Sequence, residues 1–168
     1  QITNPRILQG MKDQDLLAYI QPVFIDLDMN TVEPAIGAQR MDKVYAWKSM
    51  LDMGIHTSGG SDAPVVSFDA MENIYFAVTR KNISGQPQEG WIPSEKMSVD
   101  EAVKLFTKNA VYASYTEDEN GTIEVGKNAD FVVLEKNIYE IDPDEIKATK
   151  VDMTVLGGEI VYEREVEE

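Results

Sequence analysis

Cysteine is absent from the 168 residues, which excludes disulfides and thiolate metal centres. Histidine occurs once, as His56, so no His-x-His or His-x-x-x-His ligand pair exists within the chain. Positive charge is also scarce: 15 Lys and Arg stand against 30 Asp and Glu, a formal net charge of −15. Nucleic-acid backbones and anionic membranes need concentrated positive charge, so neither is an expected partner. No run approaches the roughly 20 apolar residues that span a bilayer, and the N-terminus has no signal-peptide pattern. With the missing cysteine this points to the cytoplasm. A start at Gln1 rather than methionine points to a chain processed or cut from something longer. The glycines form neither Gly-x-Gly-x-x-Gly nor a Walker loop, so they are read as turn residues and not as a phosphate cradle.

What is present is enough apolar material, 43% of residues, to bury a core. Asn4-Pro5 opens a helix to about Lys12, and Leu16 to Val23 reads as a strand buried on both faces. Phe24 to Ala38 is expected to be a long acidic loop, followed by a helix from Gln39 to Met53 that Gly54 ends. Ile55 to Ser58 reads as a second strand, Asp69 to Thr79 as an amphipathic helix, and Lys81 to Met97 as loop. Ser98-Val-Asp-Glu101 is a capping box, with a further helical piece from Asn109 to Tyr115. Helices and strands in this order, with long loops after the strands, predict an α/β fold over residues 1–117. Residues 118–168 predict a small β module. It contains a brief extended piece at Thr122 to Glu124, a strand at Ala129 to Leu134, a helical turn at Asp142 to Thr149 and a hairpin around Gly157-Gly158. That module carries most of the net negative charge, and Glu163 to Glu168 reads as a frayed, solvated end.

Asp62 is the leading chemical candidate. It follows the second strand through Gly59-Gly60-Ser61, at the position where α/β barrels place catalytic groups. A carboxylate there can ligate a metal, take a proton from attacking water and later protonate a leaving group. The competing reading is that Ser61 and Asp62 only cap the next turn. His56 reads as a structural or surface residue. Ser61 fails as a nucleophile elbow, because Ala63 stands where Gly-x-Ser-x-Gly needs glycine. Trp91 is placed to cover an apolar substrate, whereas Trp47 reads as core. Asp26, Asp28 and Glu33 read as solvated acids, since no glycine pins them into a calcium loop.

Several segments together resemble the C-terminal part of the amidohydrolase superfamily, specifically its YtcJ-like branch. They are Ile20-Gln-Pro-Val23, Tyr45 to Ile55, Gly60-Ser-Asp-Ala-Pro-Val65, Tyr75-Phe-Ala-Val-Thr-Arg80, Ser98 to Ala113, Gly121 to Leu134 and Thr154 to Tyr162. The resemblance covers essentially the whole chain. It implies a C-terminal fragment of a (β/α)₈ barrel, with residues 1–117 supplying barrel strands seven and eight and residues 118–168 part of a flanking small β-sandwich. It also implies a metal-dependent hydrolase acting on a small molecule at a carbon–nitrogen, amide-like bond. There a divalent metal, zinc, is held by histidines from strands one, four, five and six and by an acidic residue after strand eight, here Asp62. Gly126 to Asp130 would have a structural role.

A whole barrel of this kind takes roughly 250 residues. The chain would therefore begin after strand six, without the histidine ligands. One carboxylate cannot hold a catalytic zinc that takes three protein ligands. The resemblance thus implies an isolated chain that is inactive, with barrel edges open to self-association. The alternative is a non-catalytic structural or protein-interaction domain on the same fold.

Overall fold

The Asn4 side chain accepts the Ile7 N–H at 2.9 Å, and Pro5 occupies the first helical position, which together start α1 at Pro5–Asp13. A computed structural model describes residues 1–165 of the chain. Strand β1 (Ala18–Ile20) is shorter than its apolar run predicts, and it is buried on one face only. Tyr19, which points to the opposite face from Ala18 and Ile20, is 62% exposed.

The stretch expected to be a loop is a helix, α2 (Phe24–Ile36). Its apolar residues Ile25, Met29, Val32 and Ile36 recur at helical spacing and pack toward the core. Pro34 lies inside its last turn, where it has no N–H to give to the carbonyl one turn back. The long helix expected next is broken. A 3₁₀ stretch (Ala38–Lys43) ends at an extended Val44, and only Trp47–Asp52 is α-helical, here α3. The break sits at Tyr45, whose φ of 51° is incompatible with a right-handed helix. Tertiary partners hold it there: the Tyr45 N–H donates to Gln1 O at 2.8 Å, and its carbonyl accepts Arg80 Nη1 at 3.0 Å.

Strand β2 (Thr57–Gly59) lies parallel to β1, with Ala18 opposite Thr57 and Ile20 opposite Gly59. Asp69 caps α4 (Ala70–Thr79), accepting Met71 N–H at 2.8 Å. The Ser98–Glu101 capping box opens α5 (Val99–Leu105), and α6 (Lys108–Ala113) follows. Helix α5 packs closely on β2: a side chain at Gly59 would come within 2.7 Å of the Phe106 ring. Leu8, Ile20, Ile25, Trp47, Tyr75 and Leu105 are among the residues of one buried cluster.

The second sheet is antiparallel, in the order β3 (Phe131–Leu134), β4 (Val151–Leu156), β5 (Glu159–Glu163). Gly157 and Gly158, at φ 58° and 83°, make the expected hairpin, as a two-residue turn with both positions left-handed requires. Thr122 to Glu124 is not a strand. The helical turn after β3 is 3₁₀ (Pro143–Ala148), and its Ile146 joins the cluster that α4 packs into. The frayed end expected from residue 163 is not seen at its start, because Glu163 belongs to β5 and Arg164 bonds to Asp152. The rest of that expectation, residues 166–168, lies outside the described residues. Among the described residues, no helix is long and apolar enough to cross a membrane.

Candidate functional site

Strands β1 and β2 run in the same direction, so their carboxyl ends open on one side of the molecule. The ladder continues one step past β2, where Gly60 N–H donates to Ile20 O at 2.9 Å. The chain then turns: Val65 N–H donates to Asp62 O at 2.9 Å, and Ala63 N–H donates to Ser61 Oγ at 3.2 Å. Asp62 sits inside this turn with φ 64°, a left-handed conformation that is uncommon outside glycine, asparagine and aspartate.

The two readings of Asp62 separate here. Ser61 does the local capping with its hydroxyl, and Asp69 caps the next helix. The Asp62 carboxylate is exposed and has no hydrogen bond or ion pair among the described residues. The Asp62 side chain therefore does not cap its own turn.

The other candidates are not brought to it. His56 precedes β2 whereas Asp62 follows it, so the length of the strand separates them. The exposed His56 ring stacks on Tyr112, with centroids 4.2 Å apart. Trp91 is half-buried and packs edge-on against Tyr45 at 5.2 Å, with the Arg80 guanidinium 5.4 Å from its ring centre. Among the described residues, no hydrogen bond or ring contact joins Trp91 to Asp62. Asp26 accepts Ile83 N–H at 2.7 Å and Asp28 accepts the Tyr45 hydroxyl, so both anchor α2 rather than a cation. Burial, reinforced by Asp28, raises the Tyr45 phenol above its ordinary range.

Arg80 carries a feature with no sequence signal. An arginine ending a helix reads as an exposed partner of the helix dipole, yet this one is fully buried. Its guanidinium lies between Trp47 and Trp91, and donates to the carbonyls of Tyr45 and Trp91 at 3.0 Å each. Burial pushes its pKa down to about 10, against the opposing pull of Glu95, so it stays charged at neutral pH. Glu95 is itself buried and accepts Ser49 N–H at 3.0 Å. This network fixes the turn into α3, and α3 in turn leads to β2.

Among the described residues, no group of three or more His, Asp or Glu side chains could hold a metal ion. The residues around Asp62 therefore do not fit a metal centre by themselves.

The model of the amidohydrolase family matches residues 1–162. The chain belongs to that family. This amidohydrolase chain is 34% identical over 164 residues to YtcJ of Bacillus subtilis, described as an amidohydrolase, which covers 98% of the chain and 31% of that protein. It is also 34% identical over 122 residues to the N-substituted formamide deformylase of Arthrobacter pascens, covering 73% of the chain and 22% of that protein. The chain thus spans less than a third of the length of either relative. Among solved structures, a metal-dependent hydrolase from Pyrococcus horikoshii superposes with a TM-score of 0.75 at 20% identity, over 84% of the chain and 29% of that protein. Escherichia coli guanine deaminase superposes with a TM-score of 0.68 at 15% identity, over 97% of the chain and 38% of that protein. The mixed α/β architecture is that of the amidohydrolase family.

Proposed function

We propose that this chain is the C-terminal part of a hydrolase of carbon–nitrogen, amide-like bonds, with Asp62 as its proton-handling carboxylate. In this reading residues 1–117 provide the last two units of a (β/α)₈ barrel and residues 118–168 part of a small β-sandwich. One observation carries it: the Asp62 carboxylate stands exposed and unbonded at the carboxyl end of parallel strand β2, in a left-handed turn. Such strand ends are where barrel enzymes act. The reaction class follows from family membership and from relatives named as an amidohydrolase and a deformylase.

The role assigned to this chain's own residues is limited. An Asp62 oxygen takes a proton as water adds to the amide carbonyl, and returns it to the departing nitrogen. Ser61, Gly60 and the strand pairing hold the backbone turn that carries it. A divalent metal, zinc, belongs to this reading only with ligands that the described residues do not supply, Asp62 offering one of the set. The 168-residue chain by itself is then inactive, and it acts in the cytoplasm as part of a complete site for a small-molecule substrate. Exposed Val132, Ile160 and Val161 on the second sheet suit cover by further polypeptide or self-association.

The test is Asp62→Asn in protein carrying the complete site. Asparagine keeps the left-handed turn and the side-chain size but cannot accept the proton. Turnover should fall roughly 10²- to 10⁴-fold with the fold retained; an active Asp62→Asn enzyme ends the assignment.

A further inference from the structure

Gln21 is the first residue past the carboxyl end of β1, on the strand that pairs with the one leading to Asp62. Ile20 lies opposite Gly59, and Gly60 N–H donates to Ile20 O at 2.9 Å. Adjacent strands stand about 4.8 Å apart. Gln21 is therefore about one strand spacing from Gly60, which precedes Asp62 by two residues. Pro22 comes next, and a residue before proline is driven to the extended region. Alternation then puts Gln21 on the face of Tyr19 and its partner Ser58, opposite to the buried Ala18 and Ile20.

The neighbouring polar side chains have local partners. The Tyr19 hydroxyl donates to Ala113 O at 3.2 Å, and Ser61 Oγ accepts Ala63 N–H. The Gln21 carboxamide has less to do. It is half-buried, and among the described residues its one side-chain bond is a long one, accepted by Oε1 from Gln1 Nε2 at 3.5 Å. Its Nε2 donates to no described residue. A carboxamide nitrogen carries two N–H donors, whereas an ionised carboxylate only accepts. Gln21 and Asp62 thus set a donor and an acceptor at the ends of adjacent strands. An amide-like group needs that combination, because its carbonyl oxygen gains negative charge as water adds while a proton leaves the water.

We propose that Gln21 contacts the substrate, with Nε2 donating a hydrogen bond to the carbonyl oxygen of its amide-like group. The proposal rests on the hydrolase reading for the nature of that group and for the work of Asp62.

Formanilide, a small neutral amide, is the probe, titrated into protein carrying the complete site. Gln21→Leu removes the donor at similar size and should raise the Kd for formanilide roughly three- to tenfold. Gln21→Glu exchanges the donor for a second acceptor and should weaken binding at least as much. Both variants should keep the wild-type urea midpoint, since the carboxamide makes one long bond in the fold. Equal affinity of all three proteins for formanilide, absence of binding included, overturns the proposal. A shifted midpoint with an unchanged Kd overturns it too, by marking Gln21 as structural. Asp62→Asn should bind formanilide like the wild type. Unchanged binding in the Gln21 variants beside an inactive Asp62→Asn enzyme sinks the Gln21 contact alone. Weakened binding in them beside a fully active Asp62→Asn enzyme sinks the proton-handling assignment alone.

Discussion

The Asn73 carboxamide accepts the Val23 backbone N–H at 3.1 Å and donates to the Asp69 carbonyl at 2.9 Å. One buried side chain thereby ties the first turn of α4 to the segment leaving β1, two elements 50 positions apart in the chain. Asn73→Ala leaves the Val23 N–H unsatisfied in a buried setting. Stability should drop by about 2 kcal/mol. Urea unfolding at unchanged m-value measures it, and a drop below about 0.5 kcal/mol would show that water replaces the bond.

Gly90 has φ 80°, and a methyl group there would collide with the Thr79 carbonyl and press on Arg80. Gly90→Ala combines a left-handed penalty with a backbone clash in the segment that positions Trp91. A loss of about 2–4 kcal/mol is expected. Trp91 fluorescence during denaturation reports it, and a wild-type midpoint would contradict the close approach.

Glu101 provides the pH prediction. Burial by itself would raise its pKa, but bonds from the Ser98 N–H, Lys48 and the Ser98 hydroxyl together hold it below the ordinary carboxylate value. The folded pKa therefore lies below the unfolded one. The unfolded state binds more protons as pH falls, so the stabilisation is present above the unfolded pKa and is lost through the folded pKa. Glu101→Gln should flatten part of the acid limb of a stability profile as the pH falls below the ordinary glutamate value of about 4.3. An unchanged slope would show that the capping box carries no linked proton.

Metal analysis of the 168-residue chain checks the ligand argument. One exposed carboxylate and a histidine stacked on Tyr112 are not a zinc site. No stoichiometric zinc should survive dialysis. Tight equimolar zinc would show that Asp62 and His56 find partners the described structure does not bring together.

The features legible in the sequence are those made by neighbours in the chain. Asn4-Pro5, Asp69 and the Ser98–Glu101 box start their helices as read, and Gly157-Gly158 makes its hairpin. Helix α2 was within reach: Ile25, Met29, Val32 and Ile36 hold its period, but Pro34 and the nearby acids suggest a loop. The break at Tyr45 was not, because its partners Gln1 and Arg80 lie far away in sequence. Burial of Arg80 is hidden for the same reason: a guanidinium can be sunk only where two distant tryptophans and two carbonyls converge.

By itself, the sequence determined the family and the α/β order, and it offered Asp62 as a candidate because strand, glycine turn and carboxylate are contiguous. Only the tertiary structure decided that the Asp62 carboxylate is free of capping work, since that depends on Ser61 and Asp69 taking the local N–H donors. It also decided that Gln21 lies across the ladder from the segment leading to Asp62. Parallel pairing of β1 with β2 brings Gln21 and Gly60 to one end of the sheet, and no local pattern encodes which strands pair.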